Sequence, residues 1–258
     1  MAEPFEPVAV RERSALRTGL RAYRLVSLMW VRSMLAYPLS FALNVFAQAA
    51  ITGLDFVVIL LMFSQVDALG GYDLADFAVL YGLSSVSFGL CNLFLGLAQI
   101  AADRFSLNRL GRTFQGLAVL VYGLSAAGID WDAGRVLIIP YAVVSGAAIF
   151  GAVYVAGAAF QFVATDAAEV ENAFTYGGQT MLQYPPTVFA GEVVRAVTFV
   201  LPLSFVNWVP GAYLLDRPVP LGLPVWCALL PPLVAVAALA LAGLAWRAGL
   251  RGYRSTGS

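Results

Sequence analysis

Apolar residues along this chain come in long runs, and polar residues in short clusters between them. A helix that crosses a bilayer needs about 20 mostly apolar residues. Six runs approach that length: Leu39–Phe63, Phe77–Leu97, Leu110–Ile129, Val136–Val163, Thr187–Phe205 and Leu221–Trp246. The third is short and starts in a polar helix, and the fourth is long enough to tilt. The fifth contains Glu192, Arg195 and Pro202; the sixth is entered through Pro224 and interrupted by Pro231-Pro232. Between the last two runs, LPLSFVNWVPGAYLLDRPVPLGLP is too broken by proline for a span and too apolar for an ordinary loop. Re-entrant or interfacial helices at the outer face fit that stretch. The pattern predicts an all-α membrane protein: a six-transmembrane-helix bundle with broken or re-entrant helices before the last span. It reads as a single domain, with a cytoplasmic amphipathic segment over 1–38, the bundle over 39–246 and a cytoplasmic tail over 247–258.

Composition agrees and removes several chemistries. The 258 residues are 60% hydrophobic and only 12% charged, against ~25% charged in soluble domains. All 15 basic residues are Arg, with no Lys and no His. A P-loop of the usual kind needs its Lys, so this chain carries no such ATP motor. His-ligated zinc, His general bases and Lys Schiff bases are excluded in the same way. The carboxylates show no metal-ligand spacing and no partner base, so the chain reads as a non-enzyme with no metal and no cofactor of its own. Net charge is zero and no basic block lies outside the N-terminal stretch, which argues against nucleic acid as a partner. Cys91 and Cys227 sit in apolar runs and read as buried fillers.

Charge also orients the chain. Thirteen of the Arg residues fall on the side of the termini, and only Arg135 and Arg217 on the other, where Asp67, Asp73, Asp76, Asp130, Asp132 and Asp216 collect. The positive-inside rule then places both termini in the cytoplasm. No short apolar segment with a small-residue cleavage site opens the chain, so a signal peptide is not expected. Instead Arg13, Arg17, Arg21 and Arg24 recur at spacings of 4, 4 and 3, opposite Ala15, Ala22, Val26, Met29 and Trp30. That is an amphipathic helix for the cytoplasmic membrane surface, either a plain anchor on membrane lipids or also a docking element for a partner.

Four further features carry possible function. Asn44, Gln48, Thr52 and Asp55 share one stripe of the first span, either as a structural polar network or as a substrate or proton path. Small residues recur in span four (Gly146, Ala148, Gly151, Ala152, Ala156, Gly157) and span six (Ala238, Ala242), which suits close packing within one bundle or a dimer interface. Asp103–Phe114 places Arg104, Arg109 and Arg112 around Phe105, Leu107 and Leu110, either a snorkelling interfacial helix or a coupling helix that a motor pushes on. The stretch Asp166–Pro186, DAAEVENAFTYGGQTMLQYPP, reads as a cytoplasmic connection with a flexible Gly177-Gly178 corner, and its length and mixed character suit a surface that another protein touches.

Taken together, the six spans, the amphipathic N-terminal helix, the basic helix before span three and the broken helices before span six resemble the exporter-type (type-2) ABC transporter permeases. The strings NAFTYGGQTMLQYP, FVNWVPGAYLL and the terminal YRSTGS are similar to the ABC-2 family transporter subfamily of unknown substrate. In the first string the motif residues are Asn172, Tyr176, Gly177, Gly178, Gln179, Tyr184 and Pro185. The resemblance implies a permease of the bacterial inner membrane that pairs with a related permease or a second copy of itself. It implies two copies of a cytoplasmic ATPase, which bind the ATP and Mg. Hydrophobic drugs, lipids, peptides or glycans are the cargo classes it implies. Arg13, Arg17, Arg21, Arg104, Arg109 and Arg112 would then lie nearest the ATPase. The pattern departs at one place: relatives carry a longer cytoplasmic stretch between spans two and three, whereas here Phe94-Leu95-Gly96 runs directly into Leu97-Ala98-Gln99-Ile100. A proton-coupled carrier using Asp55 and a non-transporting membrane scaffold are the alternatives the residues leave open.

Overall fold

The computed structural model describes Met29 and residues 36–99, 109–162 and 167–252. The predicted amphipathic helix around Arg13, Arg17 and Arg21, and Arg104, lie outside the described residues. Among the described residues nine α-helices follow one another: α1 Pro38–Phe63, α2 Leu74–Gln99, α3 Arg109–Ala126, α4 Ala133–Phe160, α5 Ala167–Asn172, α6 Gly178–Leu182, α7 Gly191–Phe199, α8 Trp208–Leu214 and α9 Pro231–Gly252. A π-turn, Ala173–Gly177, joins α5 to α6, and 3-10 turns punctuate the stretch from Pro186 to Leu229. Among the described residues there is no strand, only a Leu69–Tyr72 bridge in the α1–α2 loop. Short acidic signals start two helices. Asp73 and Asp76 accept each other's backbone N–H groups (2.9 and 3.3 Å) at the head of α2, and Asp132 accepts from the Arg135 N–H at the head of α4.

Helix α2 is the centre. Phe77, Ala78 and Val79 are fully buried, and Leu80, Tyr81, Leu83 and Phe88 nearly so. Neighbouring helices pack on it in alternating directions. Phe56 and Phe63 of α1 meet Tyr81 and Phe77, with ring centroids 5.5 and 4.8 Å apart, so α1 runs antiparallel. Helix α3 is also antiparallel and crosses at backbone distance. A Cβ on Gly82 would sit 2.5 Å from the Leu120 Cα, and one on Gly123 2.6 Å from the Val79 nitrogen. Only residues without a side chain allow that approach. Helix α4 runs parallel to α2, with Phe150 against Phe88 at 5.1 Å, and α9 runs alongside α4.

Two sequence expectations change. Asp166–Pro186 is not a connecting loop: from Ala167 it is helical, and Gly177 and Gly178 have ordinary helical angles rather than forming a corner. It climbs along α2 in the opposite direction. Tyr176 stacks edge-on to Phe88 (5.2 Å), the Ser84 hydroxyl donates to the Gln179 carbonyl (3.1 Å), Tyr184 meets Phe77 (5.9 Å), and the Thr187 hydroxyl donates to the Gly70 carbonyl (2.9 Å). Its polar side chains Thr175, Gln179 and Gln183 are buried, while Phe174, Tyr176 and Val188 are exposed. A segment whose polar face points inward has the average polarity of a loop, which is why hydropathy alone misreads it.

The expected fifth span, Thr187–Phe205, is likewise not one helix. Helix α7 ends at Phe199, and Gly191–Phe199 with Leu203–Leu214 bends by 80° around Pro202. The hairpin enters and leaves at the same end of the bundle. Thr187, just before it, bonds Gly70, and Arg217, just after it, bonds Asp76. Of the two expectations for this stretch, re-entrant or interfacial, its burial fits the first: Val206, Trp208, Val209 and Leu214 are core. Among the described residues, three helices are long and apolar enough to cross a membrane (Leu74–Leu93, Ala133–Phe160 and Pro231–Arg251), or four if the bent pair counts as one. The apolar part of α3, Thr113–Ala126, is shorter than a span. At the departure point near Gly96, α2 continues unbroken to Gln99.

Candidate functional site

The bent hairpin is tied down by polar groups at three depths. At its bend, the hydroxyls of Thr198 and Ser204 share a hydrogen bond of 2.7 Å. Deeper in the core, the Asn207 side-chain amide donates to the carbonyls of Leu80 (3.0 Å) and Leu182, so one side chain joins α2, α6 and the hairpin. The Trp208 indole N–H donates to the Tyr184 carbonyl at 2.8 Å. At the mouth, Arg217 donates to Asp76 through Nε (3.1 Å) and Nη2 (2.6 Å) and lies over the Tyr72 ring, 5.5 Å from its centroid. Burial raises the Tyr72 phenol above its ordinary range, helped by the Asp76 charge and opposed by Arg217. Arg135, at the head of α4, pairs with Asp216 beside this clamp.

Behind the bend lies a groove of about 630 Å³, lined by α4, α5, the Phe199–Pro202 turn and α9 and partly open at the surface, where Phe160, Phe199, Val200 and Leu241 are exposed. Its walls are apolar and largely small. Ala152, Ala156 and Gly157 of α4 face Ala238 and Ala242 of α9, so the small-residue runs noted in the sequence both pack these helices and leave this space. Among the described residues Glu171 is the one charged residue in the lining. The Gln161 side-chain amide donates to its carboxylate, and the lack of a side chain on Gly157 lets α5 come this close: a Cβ there would sit 2.6 Å from the Glu171 Cγ. The π-turn that follows puts Phe174 on the same wall. Wide turns of this kind are frequent where a helix serves a site.

The candidate residues from the sequence are distributed as follows. Asn44, Gln48, Thr52 and Asp55 lie on α1, and Arg109 and Arg112 on the first turn of α3, but their side chains are outside what is described. The motif residues are brought together along α2. Tyr176 lies on Phe88, Gly178 against Leu203 of the hairpin, and the Tyr184 carbonyl against the Trp208 indole, with Pro185 buried and Asn172 exposed. Gln179 is fully buried, and among the described residues neither of its amide atoms finds a hydrogen-bond partner. Sequence reasoning missed the Asp76–Arg217 clamp, the Asn207 tie and the role of Glu171. A signal for the first existed: Arg217 is one of only two Arg residues on the acidic side.

Apolar helices of spanning length, with polar groups turned inward, define an integral membrane protein. The chain matches the family model described as ABC-2 family transporter protein over residues 96–257, and it belongs to that family. Members of the family are membrane components of ABC transporters and not themselves catalytic. No curated protein and no solved structure is significantly similar to the chain.

Proposed function

We propose that this chain is the permease subunit of an ATP-driven exporter of the bacterial inner membrane. The observation that carries the reading is the family match over residues 96–257. The absence of Lys from the sequence supports a separate motor. Two copies of a cytoplasmic ABC ATPase bind ATP and Mg and drive a pair of permeases, either two copies of this chain or this chain with a relative. The contact directions support six crossings with both termini cytoplasmic. Helices α1 to α4 supply four, Ala167–Val188 is the fifth in place of Thr187–Phe205, and α9 is the sixth. The re-entrant hairpin opens to the outer side. Arg104, Arg109 and Arg112, with the N-terminal Arg13, Arg17 and Arg21, face the motor.

The test is co-purification of the full chain with an ABC ATPase, followed by reconstitution in liposomes. Retention of the ATPase and a change in its hydrolysis rate on adding the permease are expected. Transport that persists without any ATPase, yet is lost in Asp55→Asn, would overturn the reading in favour of a proton-coupled carrier.

A further inference from the structure

The cavity behind the hairpin has a polarity along its length. On α9 its wall runs from Val234 to Ala245, about 16 Å of helix rise. One end is closed by the apolar turn Phe199–Pro202, and Glu171 stands toward the other, beside the end of α4 where Gln161 reaches it. Between them the lining is Ala, Val, Leu, Phe and Gly. Among the described residues no cation pairs with Glu171, whose recorded side-chain partner is the neutral amide of Gln161. A carboxylate at the rim of an apolar groove offers one fixed negative charge beside a surface that takes a hydrocarbon chain, and charge complementarity of this kind selects the partner. The volume is in the range of drug-sized ligands.

From this geometry we infer that the cavity binds a single-chain amphiphile with an ammonium head, its hydrocarbon chain along Ala152–Phe160 and α9 and its charge on Glu171. Charge complementarity selects this occupant. An anionic head would be repelled by Glu171, and an uncharged chain would leave the carboxylate without a counter-charge among the described residues. The small residues at Ala156, Ala238 and Ala242 supply the width of the slot. The inference requires the chain to lie in a bilayer and is independent of any ATPase, so it stands or falls separately from the exporter reading.

The experiment uses the purified full chain in phosphatidylcholine nanodiscs, with no ATPase, and a photoactivatable dodecylamine as probe. Saturable labelling of peptides from α4 and α9 is expected, competed by dodecylamine at least about tenfold better than by dodecanol, a difference of 1.4 kcal/mol. Glu171→Gln, close in size and able to keep the contact with Gln161, should weaken the amine about tenfold and erase its advantage over the alcohol. Ala238→Phe should abolish labelling by filling the slot. Equal competition by amine and alcohol on the unmodified chain overturns the inference without reliance on any variant. So does an unchanged amine affinity in Glu171→Gln, or the absence of saturable labelling.

Discussion

Asp76 is almost entirely buried and takes two donors from Arg217, whose side chain is about one-third exposed. Breaking a buried pair by removing one partner leaves an uncompensated charge and typically costs about 3–5 kcal/mol. The partial exposure of Arg217 puts the expected loss for Arg217→Met near about 3 kcal/mol, read by chemical denaturation in detergent. Adding Asp76→Asn should restore most of it, because the double variant no longer strands a charge. If Arg217→Met costs no more than a surface substitution, the clamp does not hold the hairpin. Gln179 makes the opposite case. Its buried amide lacks partners among the described residues, so Gln179→Leu should leave stability unchanged or raise it by up to about 1–3 kcal/mol in the same assay. A loss of more than about 1 kcal/mol would mean that bound water satisfies the amide. Neither role could be read from the sequence. A lone Asp and Arg separated by 141 positions carry no pairing signal, and Gln179 looks like any loop amide until its face is known.

At the level of elements, the α2–α3 crossing depends on glycine at positions where the partner backbone is the obstacle. Gly123→Val would drive a side chain into the Val79 nitrogen and the Ala78 carbonyl carbon, and Gly82→Val into Leu120. Overpacking of this kind costs about 1–3 kcal/mol where side chains can move aside, and backbone cannot. Each variant should therefore lose the folded state at or below ordinary growth temperature, read by thermal unfolding in detergent. Gly53→Ala on α1, with nothing within 4 Å, should melt like the parent. The long uniform helices were legible because their hydropathy is one-sided for more than 20 residues. The stretch Ala167–Val188 was not, because its π-turn and the helix after it bury Thr175, Gln179 and Gln183 and expose Phe174 and Tyr176. The strings NAFTYGGQTMLQYP and FVNWVPGAYLL, on which the resemblance rests, lie side by side through Tyr184 and Trp208. At the head of α3, the exporter reading expects Arg109→Glu with Arg112→Glu to leave ATP hydrolysis running in the reconstituted complex while export falls about tenfold or more. Retained coupling would remove these residues from the motor interface.

For the molecule as a whole, the decisive quantity is the side on which each connection emerges. The sequence pattern put Asp166–Pro186 in the cytoplasm and began a span at Thr187, whereas the contacts carry the chain from Glu171, beside the end of α4, to Thr187, beside Gly70 of the α1–α2 loop. The parity of crossings is the same in both arrangements, so the Arg distribution alone cannot separate them. Single cysteines can. The two native thiols are buried and can be replaced by Ala. Exposed positions are available at Asp67 in the α1–α2 loop, at Thr187 and at Glu169. In sealed inverted and right-side-out vesicles, a membrane-impermeant maleimide should label Thr187→Cys from the same side as Asp67→Cys, and Glu169→Cys only from the opposite side. Labelling of Thr187→Cys together with Glu169→Cys would return the segment to a loop. It would also dissolve the cavity wall that α5 provides, because Glu171 reaches Gly157 only if Ala167–Val188 runs along α2. The topology measurement thus bears on the fold and on the binding site at once, and it needs neither a partner nor a cargo.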